Sequence, residues 1–368
     1  MHSKKIGLAL AAAAALVLAG CTATEEPGTG SGGGADVAAA EAGLAPFLEP
    51  SAFPVTEPLE TLPTGARIAV LDCGSPICGL FGDLAVAPAE ALGMTVTRIE
   101  SGTTADGVAS AFDTVIEGEF DGVFVPALAP SLWERELDEL NEAGIPVVTS
   151  GISGLDPDKV VASMATSLSS TTSGALMADW AVTQEADATN AVFYTTPELS
   201  FSAAVNEGFI AELEKLCPDC TVRTVEIPVA QFGGGGAQIV VDDLLANPDT
   251  NVAAFAVGEQ AIGLPSALRA VDLEIKTILN SPDPSVLQGI KDEEFTSAIG
   301  VDLAVLTWTM IDSLARGIVG QEVGDAVHND EIVRQLLTAD VLPEDVSRGW
   351  SGYPDFAERF QALWADAQ

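Results

Sequence analysis

From Gly65 onward the chain alternates short runs of apolar and β-branched residues with longer stretches in which apolar residues recur every three or four positions. The runs "RIAVLD", "MTVTRIE", "DGVFVP", "IPVVTS", "VVASMA", "NAVFYTT", "TVRTVEIP", "NVAAFAV", "KTILN" and "TSAIG" predict strands. Between them Pro76–Leu92, Asp106–Glu117, Leu132–Ala143, Ser169–Gln184, Ser202–Leu216 and Gln238–Ala246 predict helices. Nearly continuous apolar strands separated by helices imply parallel sheets covered on both faces, an α/β fold. In the helix Leu132–Ala143, Trp133, Leu137 and Leu140 share one face, which places Trp133 in a core.

The first residues follow a different pattern. Lys4 and Lys5 precede an apolar run from Ile6 to Ala19 that ends in Leu18-Ala19-Gly20-Cys21. A basic start, a short apolar run and small residues before a cut describe a secretory signal over residues 1–20, short for a bilayer span. A cysteine directly after Leu-Ala-Gly resembles a bacterial lipobox. That resemblance implies that Cys21 is lipidated and anchors the mature chain to the outer face of the cytoplasmic membrane. The following "TATEEPGTGSGGGAD" is Gly/Ser/Thr-rich without apolar period, and residues 21–64 are expected to form a flexible acidic tether with one short helix.

Composition narrows the partners. Hydrophobic residues make up 48% of the chain, which excludes disorder for its bulk, and the roughly 300 residues beyond the tether suffice for two lobes with separate cores. The formal charge of −39 becomes more negative still when Lys4 and Lys5 leave with the signal. Nucleic acid and anionic lipid surfaces both require a basic face and are excluded as partners.

Several segments carry a family pattern in order. "FDGVFVPALAPSLWERELDELNEAGIPVVTS", "VVASMATSLSSTTSGALMADW", "SFSAAVNEGF" and "DDLLANPDTNVAAFAV" resemble units of the type I periplasmic binding proteins, the ribose/galactose-binding family. The resemblance runs from Arg67 to Val319. It implies two Rossmann-like lobes joined by three hinge crossings, near Ser150–Ser153, near Gly300–Leu303 and after Val319. The N-terminal lobe would then hold 65–151 and 302–325, and the C-terminal lobe 152–301 with part of 326–368. It further implies a monomeric receptor without cofactor that delivers a small ligand to an ABC permease, or one that presents it to a membrane signalling protein. The tail contains "YPDFAERFQALW", which reads as a final amphipathic helix.

The chemistry-bearing residues fit binding better than catalysis. Outside the cytoplasm the four cysteines beyond Cys21 form an even, oxidisable set, and the simplest pairing is Cys73–Cys78 with Cys217–Cys220. Each bond would close a very small loop, contributing about 2 kcal/mol. "CPDC" ends a predicted helix rather than opening one, so it lacks the positive dipole that activates a thiol. A cysteine nucleophile needs a histidine base, and with His2 removed only His328 remains. "FGGGGAQ" lacks the Lys-Ser/Thr of a phosphate loop.

In the family's fold, ligands meet the carboxyl ends of strands in both lobes. In the first lobe that rule selects Asp72, Ser75, Pro76, Phe81, Ala127, Leu128 and Ser150. In the second it selects Thr195, Thr196, Glu198, Phe201, Gln231, Phe232, Gly258, Glu259, Gln260, Asn280 and Ser281. Phe232 matches by position an aromatic that stacks on the sugar in ribose-binding relatives; a core Phe at a loop edge is the competing reading. The Asp-Arg pair and the arginine with which sugar-binding relatives grip hydroxyls are replaced here by Ser150-Gly151-Ile152 and "FSAAVNEGF". Each lost charge-assisted bond removes roughly 1.5–3 kcal/mol. With no Lys or Arg at a strand end facing the cleft, and with Ile77, Leu128, Leu199, Phe201 and Phe232 there instead, the expected ligand is neutral with a substantial apolar face. Glu259, Gln260 and Asn280 would orient it. A sugar held by other polar residues is the alternative.

Overall fold

In the computed structural model, which describes residues 34–367, the expected strands sort into two sheets. The signal, Cys21 and the first part of the expected tether lie outside the described residues. A helix α1 (Val37–Leu44) precedes the first sheet. That sheet is built from β1 (Arg67–Asp72), α2 (Pro76–Ala91), β2 (Thr95–Glu100), α3 (Ala105–Glu117), β3 (Gly122–Pro126), α4 (Glu134–Ala143), β4 (Val147–Ser150) and β5 (Ala162–Met164). Its order is β2-β1-β3-β4-β5, parallel throughout. The second lobe runs α5 (Ser167–Glu185), β6 (Asn190–Thr195), α6 (Ser200–Leu216), β7 (Thr221–Glu226), α7 (Gly236–Ala246), β8 (Val252–Phe255), α8 (Leu264–Ala270), β9 (Lys276–Asn280), α9 (Pro284–Lys291) and β10 (Ser297–Val301). The chain ends with α10 (Leu303–Val319), α11 (Asp325–His328), β11 (Arg334–Leu337) and α12 (Phe356–Trp364). The second sheet has the order β11-β10-β9-β8-β6-β7, with only β11 antiparallel.

Alternation along each strand feeds two cores per sheet. In β3, Phe124 faces the core shared with α2 and α10, whereas Val123 and Val125 face the core that holds Trp133. Trp133 is buried as expected, stacked on Phe112 at 5.2 Å, but it stands at the cap position before α4 rather than on the helix itself. In β6, Phe193 and its neighbours Val192 and Tyr194 divide in the same way. Helices α5 and α6 cross where both carry glycine: a Cβ on Gly174 would lie 1.9 Å from the Val205 carbonyl oxygen.

Three sequence expectations change. First, β5 pairs with β4, so 152–164 stays with the first sheet and the chain crosses at Ala165–Thr166 rather than near Ser150–Ser153. Gly151, at φ 71°, turns the chain there without leaving the lobe. Second, residues 34–64 are not a free tether. Ala40 and Leu44 of α1 enter the second lobe's core, and Val55 and Leu59 enter the first lobe's. The buried Arg316, paired with Asp312 at 2.7 Å, also donates to the Glu57 carbonyl at 2.6 Å and holds this arm down. Third, the tail serves both lobes. β11 extends the second sheet, while Phe360 and Trp364 of α12 complete the first lobe's core. Among the described residues no helix is long and apolar enough to cross a membrane.

The crossings are tied together by carboxylates. Asp330, just before β11, accepts from Ala165 N at 2.7 Å, Thr166 N at 3.0 Å, Thr166 Oγ1 at 2.6 Å and Ser169 N at 3.2 Å. Asp302, between β10 and α10, caps α10 through Val305 N at 3.0 Å and takes Ser351 Oγ at 2.6 Å and Gly352 N at 2.9 Å from the tail.

Trp364 stacks on Trp308 at 5.6 Å and donates to Asp312 at 2.8 Å, so Trp364→Ala empties a core position and removes a donor from a buried carboxylate. Urea unfolding is expected to show a loss of about 3–5 kcal/mol. An unchanged midpoint would mean that α12 contributes nothing to the first lobe.

Candidate functional site

The carboxyl ends of β1, β3, β4, β6, β8 and β9 open on one cleft of about 180 Å³ between the lobes. The first turns of α2 supply Ser75, Ile77, Leu80 and Phe81, and the ends of β3 and β4 supply Ala127 and Ser150. Ser75 caps α2, and the disulfide Cys73–Cys78 closes the loop that carries it. The second disulfide, Cys217–Cys220, lies at the far end of α6. Across the cleft stand Leu199, Phe201, Val229, Phe232, Glu259 and Asn280. The hinge side is formed by Leu303, Leu306, Ile332, Arg334, Arg348 and Trp350. Ala127, Ala165 and Ser281, all lining residues, hold φ values of 53°, 55° and 51°, a region that costs a non-glycine residue roughly 1–2 kcal/mol.

Of the residues selected from sequence, the cleft brings together Ser75, Phe81, Ala127, Ser150, Phe201, Phe232, Glu259, Asn280 and Ser281. The others find partners elsewhere. Asp72 turns to Arg98, 2.9 Å away on the neighbouring strand, and accepts from Gly74 N. Leu128 is buried in the core around Trp133. Thr195 bonds Ser202 at 2.7 Å. Thr196 donates to the Ile227 carbonyl and accepts from Gln260, whose amide oxygen takes Val257 N, so both are internal props. Glu198 is exposed, and the Gln231 amide oxygen lies over Gly235. The side chain of Pro76 is outside the described set.

The sequence rule missed Asp283, Ser169, Ser173, Arg334, Arg348 and Trp350. The two arginines correct the expectation that no basic residue faces the cleft. Arg334 is 4% exposed and donates to Ser173 Oγ at 3.0 Å and to the Ser169 carbonyl at 2.6 Å. Burial lowers its pKa to about 10, partly offset by the charge of Asp330, so it stays charged at neutral pH. Asp283 was legible only as the cap of α9, a role it fills with Oδ1 on Ser285 N at 2.6 Å and Val286 N at 3.2 Å.

Four buried oxygens on this surface have no partner among the described residues: Ser150 Oγ, Glu259 Oε2, Asn280 Oδ1 and Asp283 Oδ2. Buried polar atoms left unpaired are costly, so the surface is poised for donors from outside the chain. Burial raises the Glu259 carboxyl to about 7, and the nearby charge of Asp283 acts in the same direction. Among the described residues no group of three or more His, Cys, Asp or Glu is placed to hold a metal.

A model of the periplasmic binding protein domain matches residues 72–322. No sequence among curated proteins matches the chain. Solved structures share the fold at low identity. The binding component of an arabinose ABC transporter from Shewanella sp. ANA-3, bound to L-arabinofuranose, is 14% identical with a TM-score of 0.66, covering 81% of this chain and 98% of that one. An ABC transporter solute-binding protein from Agrobacterium vitis with bound allitol is 18% identical with a TM-score of 0.64, covering 75% and 96%. A glucose-galactose binding protein from Geobacillus stearothermophilus is 18% identical at 0.63, covering 76% and 99%.

Stability should depend on pH through the buried acids. Glu259 rises from 4.5 to about 7, and Asp179, buried on α5 beneath α1, rises from 3.8 to about 7. Over that interval the folded protein holds protons that the unfolded chain has released, so stability is greatest at the acid end and falls as pH rises toward 7. Calorimetry of the ligand-free protein from about pH 5 to 8 is expected to show a falling Tm, flattened in Glu259→Gln and in Asp179→Asn. A Tm that climbs over this range would contradict it.

Proposed function

The chain belongs to the periplasmic binding protein family, and on that premise we propose that it is an extracytoplasmic solute-binding lipoprotein. It is held at the membrane through Cys21, closes its lobes around one small molecule and hands the closed form to an ABC import permease. The observation that carries this reading is the cleft itself, walled by both lobes and bordered by the segments that cross between them. Hinge closure makes such a cleft a binding device, because the ligand supplies contacts to both walls that neither wall supplies alone.

Two of the solved neighbours hold a sugar and a sugar alcohol, which favours a polyhydroxylated compound. The walls favour a ligand with a substantial apolar face as well, since Ile77, Leu80, Phe81, Leu199, Phe201 and Phe232 all border the space. The neutrality expected of that ligand rested on an absence of basic residues from the cleft, and Arg334 and Arg348 remove that support.

Native mass spectrometry of the purified mature protein is expected to find one small molecule per chain, and deletion of the gene should abolish its uptake. Chemical turnover of the bound compound, or uptake that survives deletion, would contradict the reading. Cys21→Ser should release the protein from the membrane fraction, whereas retention there would count against the anchor. Phe232→Ala should weaken the retained ligand roughly tenfold or more, about 1.4 kcal/mol, with little change in folding. Equal affinity would remove Phe232 from the site.

A further inference from the structure

We propose that the second-lobe wall of the cleft is a cation subsite, in which Glu259, flanked by Asn280 and Asp283, holds a positively charged nitrogen while Phe201 and Phe232 receive the apolar body attached to it. The proposal rests on the cleft being the solute site, and narrows the solute to an amphiphilic monocation.

The three acceptors sit on two loops in direct contact. Gly258, next to Glu259, has so little room that a Cβ there would lie 3.1 Å from Pro282 Cα and 3.2 Å from Asp283 N. Asn280 is 5% exposed, and its Nδ2 donates to the Ala256 carbonyl at 3.1 Å. That bond fixes the amide orientation and leaves Oδ1 without a partner, on a residue that lines the cleft. Asp283 spends Oδ1 on the α9 cap, which leaves Oδ2 free. Glu259 Oε2 completes the set. Thus three residues that line one cleft each keep a buried oxygen, two of them on carboxyl groups, without a donor among the described residues.

Neutral hydroxyls would satisfy the hydrogen bonds but leave the negative charge of Asp283, and that of Glu259 whenever it ionises, without a counter-charge. A cation answers both needs. The basic residues of the cleft do not supply it: no ion pair joins Arg334 or Arg348 to Glu259 or Asp283 among the described residues, and Arg334 is committed to Ser173 and the Ser169 carbonyl. Burial is the main reason the Glu259 carboxyl stands near 7, and the negative charge of Asp283 adds to it. Phe201 and Phe232 line the same wall, and aromatic faces attract cations carried on apolar groups.

A bound cation favours the ionised form of Glu259, so binding near pH 7 should release a proton, and affinity should rise from pH 6 to 8. Calorimetry of the mature full-length chain, in two buffers of different ionisation enthalpy, can read this directly. The probes are arylalkyl amines from benzylamine to 4-phenylbutylamine, each beside its alcohol counterpart, with D-galactose and L-arabinose. The expected result is an amine that binds at least tenfold more tightly than its alcohol, with proton release, and a Glu259→Gln variant that folds normally and loses this preference. Tight binding of a sugar, an alcohol equal to its amine, or a Glu259→Gln variant that keeps the preference would overturn the subsite and leave the solute-binding reading intact. If no probe binds and no retained molecule is found, both fall.

Discussion

Asp330 is the constraint on which the arrangement of the two lobes depends. A single carboxylate from the last crossing accepts from Ala165 N, Thr166 N, Thr166 Oγ1 and Ser169 N at the start of α5, the element that follows the first crossing. Acidic groups suit a helix N-terminus because the backbone donors there are unpaired and the dipole is positive. By capping α5 from a distant segment, Asp330 joins two connections that would otherwise move independently. Asp302 does the same for the second crossing and the tail. The position of the cleft walls, and so of every residue that borders the ligand space, follows from these two anchors.

The arms at the two ends of the chain reinforce that geometry. Residues 34–64 touch both lobes, through Ala40 and Leu44 on one and Val55 and Leu59 on the other. The tail repeats the pattern with β11 and α12. The proposed closure would therefore have to be accommodated by these straps as well as by the crossings. The tail also brings Arg334 and Trp350 to the cleft, so the same segment that braces the lobes shapes the site.

Much of the fold was legible because strands buried on both faces must be apolar, as the inner strands are, while the exposed edge strands β2 and β7 keep β-branched residues in alternation with polar ones. β11 was not, because two of its four residues are Arg334 and Gln335, buried by hydrogen bonds to Ser169, Ser173 and the Leu48 carbonyl rather than by apolar packing. The arm over 34–64 was misread because its composition is that of a linker while its few apolar residues are spaced to reach two cores. In the site, the strand-end rule found Phe81, Phe201, Phe232, Glu259 and Asn280. It could not foresee that Asp72 would be taken by Arg98, or that Thr196 and Gln260 would satisfy each other across 64 positions. Such pairings depend on side-chain direction, which strand ends do not encode.

The central claim is that one molecule is held between two lobes that move toward each other. Small-angle scattering of the mature protein, stripped of ligand and then titrated with the molecule it retains through purification, tests this most directly. The account predicts a radius of gyration that falls on titration and saturates at one ligand per chain. Saturating binding with no change in radius of gyration would contradict it.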